Sequence, residues 1–256
     1  MIDPRAIVDP AARLADDVEV GPFSIIGPDV EIGEGTVIGP HVIVRGPTRI
    51  GKNNKIFQFA SIGEECQDKK YAGEPTTLSI GDNNVIREAC TFHRGTVQDA
   101  GHTQVGNHNL FMVNVHVAHD AIIGDHCILA NDTNVAGHVN IGDYVILGGA
   151  TQVHQFCHIG AHSMCGAGSV VLKDIPAYVM SQGYPVQPHG INIEGLKRRG
   201  FAKASINRLR AAYKTLYRQG LTLEEALVQL EPVAAEDEAV AVLVASLKAG
   251  NRGIIR

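Results

Sequence analysis

The sequence lacks the marks of several large protein classes. Its five cysteines, Cys66, Cys90, Cys127, Cys157 and Cys165, contain no CxxC pair. An odd number without paired spacing points to reduced thiols in a reducing compartment. No stretch of about 18 consecutive apolar residues is present, so no membrane-spanning helix is expected. No basic region followed by an apolar run opens the chain, so no secretory leader is expected either. The net charge of -5 argues against broad nucleic-acid binding. Charged residues are 19% of the chain and hydrophobic ones 45%, as in an ordinary soluble globular protein. The cytoplasm is the compartment these absences leave.

What is present is a period of six. A large aliphatic residue recurs at Val8, Leu14, Val20, Ile26, Ile32, Ile38, Val44, Ile50, Ile56 and Ile62. The series resumes at Ile80, Ile86 and Phe92, and runs again from Val105 through Phe111, Val117, Ile123, Leu129, Val135 and on to Val171. Many of these residues are followed by glycine, as in Ile32-Gly33 and Ile123-Gly124. Six matches neither the helical period of 3.6 nor the strand period of 2. It implies one short strand and one turn per unit, the signature of a parallel β-helix. Three units make an 18-residue triangular coil. The residue four after each aliphatic is mostly small or β-branched (Val18, Ser24, Val30, Thr36, Val115, Ala121, Cys127), so large and small side chains alternate in a narrow prism. Cys127, Cys157 and Cys165 fall on inward positions and read as core filler.

Two segments break the period. Residues 64–79 place Asp68 and Glu74 where core residues belong, and residues 94–104 shift the count by one. Insertions in a solenoid become surface loops, often the functional ones. After Val171 the period stops, and the Pro- and Gly-rich segment that follows reads as a linker. Helical spacing begins at Ile193, with Ile206, Leu209, Tyr213 and Leu216 on one stripe and Gly220 closing it. Thr222 and Glu225 form a capping-box pattern for a second helix, Pro232 is expected to end it, and a third follows. The expected organisation is a solenoid over 1–190 and a small helical domain over 191–256. Phe111, Met112 and Val113 read as outward residues too apolar for a solvated face, so self-association of solenoids is expected.

Several of the twelve histidines crowd into the second block of repeats. His116, His119 and Asp120 lie within five residues. Steps of 18 carry Asp120 to His138, and His119 to Gly137 and then Gln155, with His154 adjacent. Residues distant in the chain thus converge on one edge. Polar ladders on solenoid edges are common, and His41, His102, His108, His126, His158, His162 and His189 read as inert. His119 differs, because a neutral imidazole oriented by an adjacent carboxylate is a general base suited to neutral pH. Three histidines on adjacent coils also fit a zinc site. Between Leu196 and Arg218 lie Lys197, Arg198, Arg199, Lys203, Arg208, Arg210, Lys214 and Arg218 with no acidic residue. That reversal of charge is either a solvated face or a site for phosphates or an acidic protein, and Arg198 and Arg199 are best placed for a diphosphate.

Together with the hexapeptides, the segments QDKKYAGEPT, FHRGTV, HVAHD, AGHV, VHQF and NIEGLKRRGF resemble the bacterial UDP-N-acetylglucosamine 3-O-acyltransferases, which open lipid A synthesis. The resemblance covers the whole chain. It implies a left-handed β-helix, an exception to the usual hand of parallel crossovers, assembled as a homotrimer with sites between solenoids. The implied donor is a 3-hydroxyacyl chain on the phosphopantetheine of acyl carrier protein, the acceptor is the glucosamine 3-hydroxyl of UDP-N-acetylglucosamine, and no metal or other cofactor is used. His119 falls on the family's general base, Asp120 on its orienting carboxylate, and the Gly137 N–H on its oxyanion donor. His116, His138 and His154 fall on cleft positions. Gln67, Asp68 and Lys70 come from the first loop, which would reach a neighbour's site. Asn192, Glu194, Arg198 and Arg199 match nucleotide positions, with Gln155 nearby. The family's acyl-length residue maps to Ala167, between the glycine of long-chain and the bulky residues of short-chain relatives, so a medium-to-long chain is expected.

Three other readings are kept. A related hexapeptide N-acyltransferase shares the repeat, but its family carries a domain before the solenoid, whereas here the repeat begins by Val8. A zinc-dependent solenoid carbonic anhydrase would use the histidines as ligands. An inert scaffold explains the repeat but neither the histidine edge nor the basic segment.

Overall fold

The computed structural model describes residues 1–250 and 252–256. Short strands, most of them two residues long, form three sheets of nine, eight and ten strands, parallel in every pairing but that of the last strand, and build a left-handed β-helix. Register follows the period: His116 pairs with Asn134, Asn134 with Gln152, and Gln152 with Val170, one coil apart each time. The second residue of each strand points into the prism. Val117 and Val135 are fully buried and Val153 is 3% exposed, while their neighbours His116, Asn134 and Gln152 face out. Each coil turns its corners through a residue in the left-handed region, such as Asp120, His138 and Phe156 at φ of 57°, 62° and 64°. That conformation costs an L-residue about 1–2 kcal/mol. It is held by bonds to the coil below, His138 N–H to the His119 carbonyl at 3.1 Å and Phe156 N–H to the Gly137 carbonyl at 3.2 Å.

The interruptions are shorter than the sequence indicates. Thr77–Ile80 and His102–Val105 are strands paired to each other in register, so the loops span only 65–76 and 94–101. Both leave the first sheet and re-enter the second, at the corner that also carries His119. Phe111 is not an outward residue. It is fully buried and packs edge-on against Phe92 at 4.8 Å, so of the expected apolar outer patch only Met112 and Val113 remain. The core thiols are inert: burial pushes Cys90 up to about 11 and Cys127 and Cys157 up to about 12.

The expected linker is an antiparallel hairpin, Val179–Gly183 with Val186–Ile191, whose first strand pairs with Met164–Cys165 and extends the third sheet. Four helices follow: α1 (Ile193–Arg198), α2 (Lys203–Arg218), α3 (Leu223–Ala234) and α4 (Glu238–Ala249). Ile206, Leu209, Tyr213 and Leu216 are buried on one face of α2, and both arms of the Thr222–Glu225 capping box are made. Pro232 lies inside the last turn of α3 rather than ending it. Its missing N–H removes one bond there, and the chain turns only at Ala235. No helix among the described residues is long and apolar enough to cross a membrane.

Candidate active site

The corner between the first and second sheets opens onto a cleft of about 640 Å³. Its walls are built from coil-to-coil columns. His116, Asn134, Gln152 and Val170 form one, and His119, Gly137 and Gln155 another, with His154 beside them and Gln67, Asp68 and Lys69 entering from the first loop. Lys70, expected to reach a neighbouring chain, is exposed beside this wall, and the Asp68 carboxylate accepts its backbone N–H and turns the loop at that point.

His119 is the buried centre of the cleft. Its Nδ1 lies 2.9 Å from Asp120 Oδ2. An ionised carboxylate only accepts, so Nδ1 carries the proton and Nε2 presents a lone pair. Asp120 is 4% exposed. Burial raises its carboxyl, but donation from the Thr96 hydroxyl and amide and from His119, together with the charge of nearby His138, more than offsets this and holds it below its ordinary value. Gly137 could be no other residue without displacing the imidazole: a Cβ there would sit 2.5 Å from His119 Cε1 and 2.7 Å from Nε2. Its N–H donates to no group among the described residues.

His138 stands one coil from Asp120, as the count of 18 implies, but it is not on the cleft wall. Its ring stacks on Phe156 at 4.4 Å and meets His119 edge-on at 5.0 Å, with Nδ1 on Asp99 Oδ2 at 2.7 Å. His119, Asp120 and His138 also form a group in which a metal's ligand atoms would lie within 4.8 Å of one another. Asp120 is already committed, however, its oxygens accepting from Thr96 and His119, which leaves this group only two imidazole Nε2 atoms, short of the three protein ligands of a catalytic zinc site. The zinc reading is not favoured on this donor set.

The nucleotide candidates lie elsewhere. Asn192, Glu194 and Arg198 border a second, more apolar cleft of about 830 Å³ floored by Ile146, Met164 and Met180 of the third sheet. Asn192 is buried as the N-cap of α1, accepting from Gly195 and donating to the His162 carbonyl, and Glu194 pairs with Lys197 at 2.8 Å. Arg198 and Arg199 stand at the end of α1, just before α2 begins at Lys203. Arg199 folds over the Tyr144 ring at 5.0 Å and donates to its carbonyl. Arg208 of the basic run is taken by Asp237 at 2.7 Å. Ala167 is exposed at the corner between the third and first sheets, beyond the His116 column.

Sequence reasoning missed His93. It lines the cleft, meets His116 edge-on at 5.0 Å and is lowered to about 4 by burial and by that neighbour. The count of 18 could not find it, because the second loop stretches the step from Thr91 to His116 to 25 residues. Several histidines read as inert also have structural tasks. His102 bridges Thr77 and Ser79, and His108, His126, Tyr144, His162 and Tyr178 stack as a continuous ladder with spacings of 4.6–5.4 Å.

These rings set a pH dependence. Burial also lowers His162 to about 4. The unfolded chain takes up these protons near pH 6.5 and the fold only near 4, so the unfolded state binds more protons in between. Stability is therefore full above 6.5 and falls as pH drops from 6.5 towards 4. Urea midpoints across this range should show that slope, and His93→Asn should flatten it.

Fold and cleft together define a hexapeptide-repeat transferase. Residues 11–46 and 102–137 match the bacterial transferase hexapeptide model, and residues 174–255 match the second domain of UDP-N-acetylglucosamine O-acyltransferase. An acyl-[acyl-carrier-protein]–UDP-N-acetylglucosamine O-acyltransferase of Stutzerimonas stutzeri is 59% identical over 256 residues, spanning 100% of this chain and 99% of its own. The one from Saccharophagus degradans is 58% identical over 255 residues with the same coverage. The crystal structure of UDP-N-acetylglucosamine O-acyltransferase from Moraxella catarrhalis superposes with a TM-score of 0.98 at 50% identity, covering 100% of this chain and 99% of that one. The chain belongs to the acyl-[acyl-carrier-protein]–UDP-N-acetylglucosamine O-acyltransferase family.

Proposed function

We propose that this protein transfers a 3-hydroxyacyl group from acyl carrier protein to the glucosamine 3-hydroxyl of UDP-N-acetylglucosamine, the opening step of lipid A synthesis, in the cytoplasm. One observation carries the mechanism: His119, tied to Asp120, leaves Nε2 free in the cleft beside a glycine whose N–H is unpaired among the described residues. His119 Nε2 takes the hydroxyl proton as the sugar oxygen attacks the thioester carbon. The charge that develops on the carbonyl oxygen is met by the Gly137 N–H. Collapse expels the phosphopantetheine thiolate, which takes the proton back from His119. No acyl-enzyme forms, and no cofactor is consumed.

Gln67, Asp68, His116, His154 and Gln155 border the same cleft and suit sugar and acyl contacts. His138 supports the His119 pair from behind. Asn192, Glu194, Arg198 and Arg199 serve the nucleotide, Lys70 reaches a neighbouring chain, and Ala167 limits the acyl chain to a medium-to-long one. The His119 cleft lies on the first sheet and the nucleotide cleft on the third. A complete site then needs two chains, which supports a homotrimer with three shared sites. Exposed Lys203, Arg210 and Lys214 of α2 face the acidic carrier protein.

Incubation with UDP-N-acetylglucosamine and a panel of 3-hydroxyacyl carrier proteins should give an O-acylated nucleotide sugar by mass spectrometry, at a rate that a chelator leaves unchanged. Loss with chelator and recovery with zinc would restore the metal reading. Light scattering of the same sample should give a three-chain mass, and a monomer with full activity would remove the shared site.

A further inference from the structure

The second loop, 94–101, is closed around one residue. Thr96 is 1% exposed. Its carbonyl accepts the N–H groups of Asp99 and Gly101, folding the loop back on itself. Its amide and hydroxyl both point at one carboxylate: N–H lies 3.0 Å from each oxygen of Asp120, and Oγ1 lies 2.7 Å from Oδ2. Oδ2 is also the oxygen that meets His119 Nδ1. Gly95 permits this approach, since a Cβ there would collide with the His102 nitrogen and lie 2.7 Å from Asp120 Oδ1. Arg94 anchors the start of the loop, donating to the Gly46 and Gly63 carbonyls at 3.1 and 2.5 Å and to the Tyr71 hydroxyl at 3.0 Å.

We propose that Thr96 is the positioning residue of the His119–Asp120 pair, delivered to it by the break in the repeat. The reasoning is rotational. A carboxylate with one partner can swing about its last torsion, whereas three donor contacts from one neighbour fix its plane. That plane sets the direction of the His119 Nδ1–H bond, and with it the aim of Nε2 into the cleft. The hydroxyl touches neither substrate nor the reacting atoms; it acts through Asp120. This inference rests on the reading of His119 as the base.

Thr96→Val keeps the shape and the backbone donor and removes only the hydroxyl. A hydrogen bond to a buried charge is lost, so kcat should fall about tenfold to a hundredfold. The KM for UDP-N-acetylglucosamine should stay within about twofold, because no substrate contact is removed. Thr96→Ser restores the hydroxyl and should recover most of kcat. An unchanged kcat in Thr96→Val overturns the proposal, as does an equal loss in Thr96→Ser, or a raised KM at constant kcat. Should Thr96→Val not fold, Thr96→Cys replaces it as a weaker donor of similar size, and a kcat equal to that of Thr96→Ser overturns the proposal. A fully active His119→Ala would instead remove the base reading itself, so the two failures are distinguishable.

Discussion

His119→Ala should fold normally and lose acyl transfer by about 10²- to 10⁴-fold in kcat, the range a positioned general base supplies. Folding survives because His119 does not enter the prism. The inward positions on either side of it are Val117 and Ala121, both fully buried, and they are untouched. The loss falls on kcat because only the proton acceptor is removed while the cleft walls remain. Asp120→Asn tests the same pair from the other side. The new amide must turn its N–H either toward the Thr96 N–H, which is itself a donor, or toward His119, where Nδ1 loses its acceptor and the proton moves to Nε2. That tautomer cannot take a proton from the sugar. Its kcat should also drop, while thermal midpoints by circular dichroism separate loss of chemistry from loss of fold. Turnover of His119→Ala like that of the wild type would refute the assignment.

The repeat made the fold legible because its physics is local. Each aliphatic sits directly above another one coil away, so Val117, Val135 and Val153 announce a sheet by their spacing alone. The same counting brought Asp120 to His138 and His119 to Gly137. It failed where the coil length changed. Insertion of the second loop moved His93 out of phase with His116, and left Thr96 with no visible link to Asp120, 24 residues away. Phe111 was legible as a core residue from its phase, yet its apolar neighbours drew it into an outward patch; the period was the stronger signal. The hairpin at 179–191 went unread because prolines and glycines obscure its alternation, which shows only once Met180 pairs with Met164. The two clefts could not be separated by sequence, since the count of 18 gives a position along an edge and does not give which sheet a helical tail covers.

Gly137→Ala should be as damaging as loss of the base, and for a different reason. Glycine here is required by a neighbour, not by its own backbone, since it is absent from the positive-φ positions of the corners. An added Cβ would lie 2.5 Å from His119 Cε1, 2.7 Å from Nε2 and 3.0 Å from Nδ1, closer than non-bonded atoms allow. The ring is the part that must yield, because the coil is pinned by the Ala136 N–H to Val153 and the His138 N–H to His119 carbonyl bonds on either side. Moving the ring stretches its bond to Asp120 and shifts Nε2 away from the acceptor hydroxyl. The Gly137 N–H is also shielded by the new methyl group. Loss of one oxyanion donor alone costs about 10²–10³ in kcat, and the displaced base adds to it. The fold should lose only about 1–3 kcal/mol, the range for one extra carbon in a packed site. Gly27→Ala is the matched control: its Cβ would meet the Val44 carbonyl at an ordinary 3.4 Å, far along the chain from the cleft, and should leave kcat unchanged. If Gly137→Ala and Gly27→Ala turn over equally fast, His119 does not need the space that this glycine leaves, and neither its aim nor the oxyanion donor can be what makes the corner reactive.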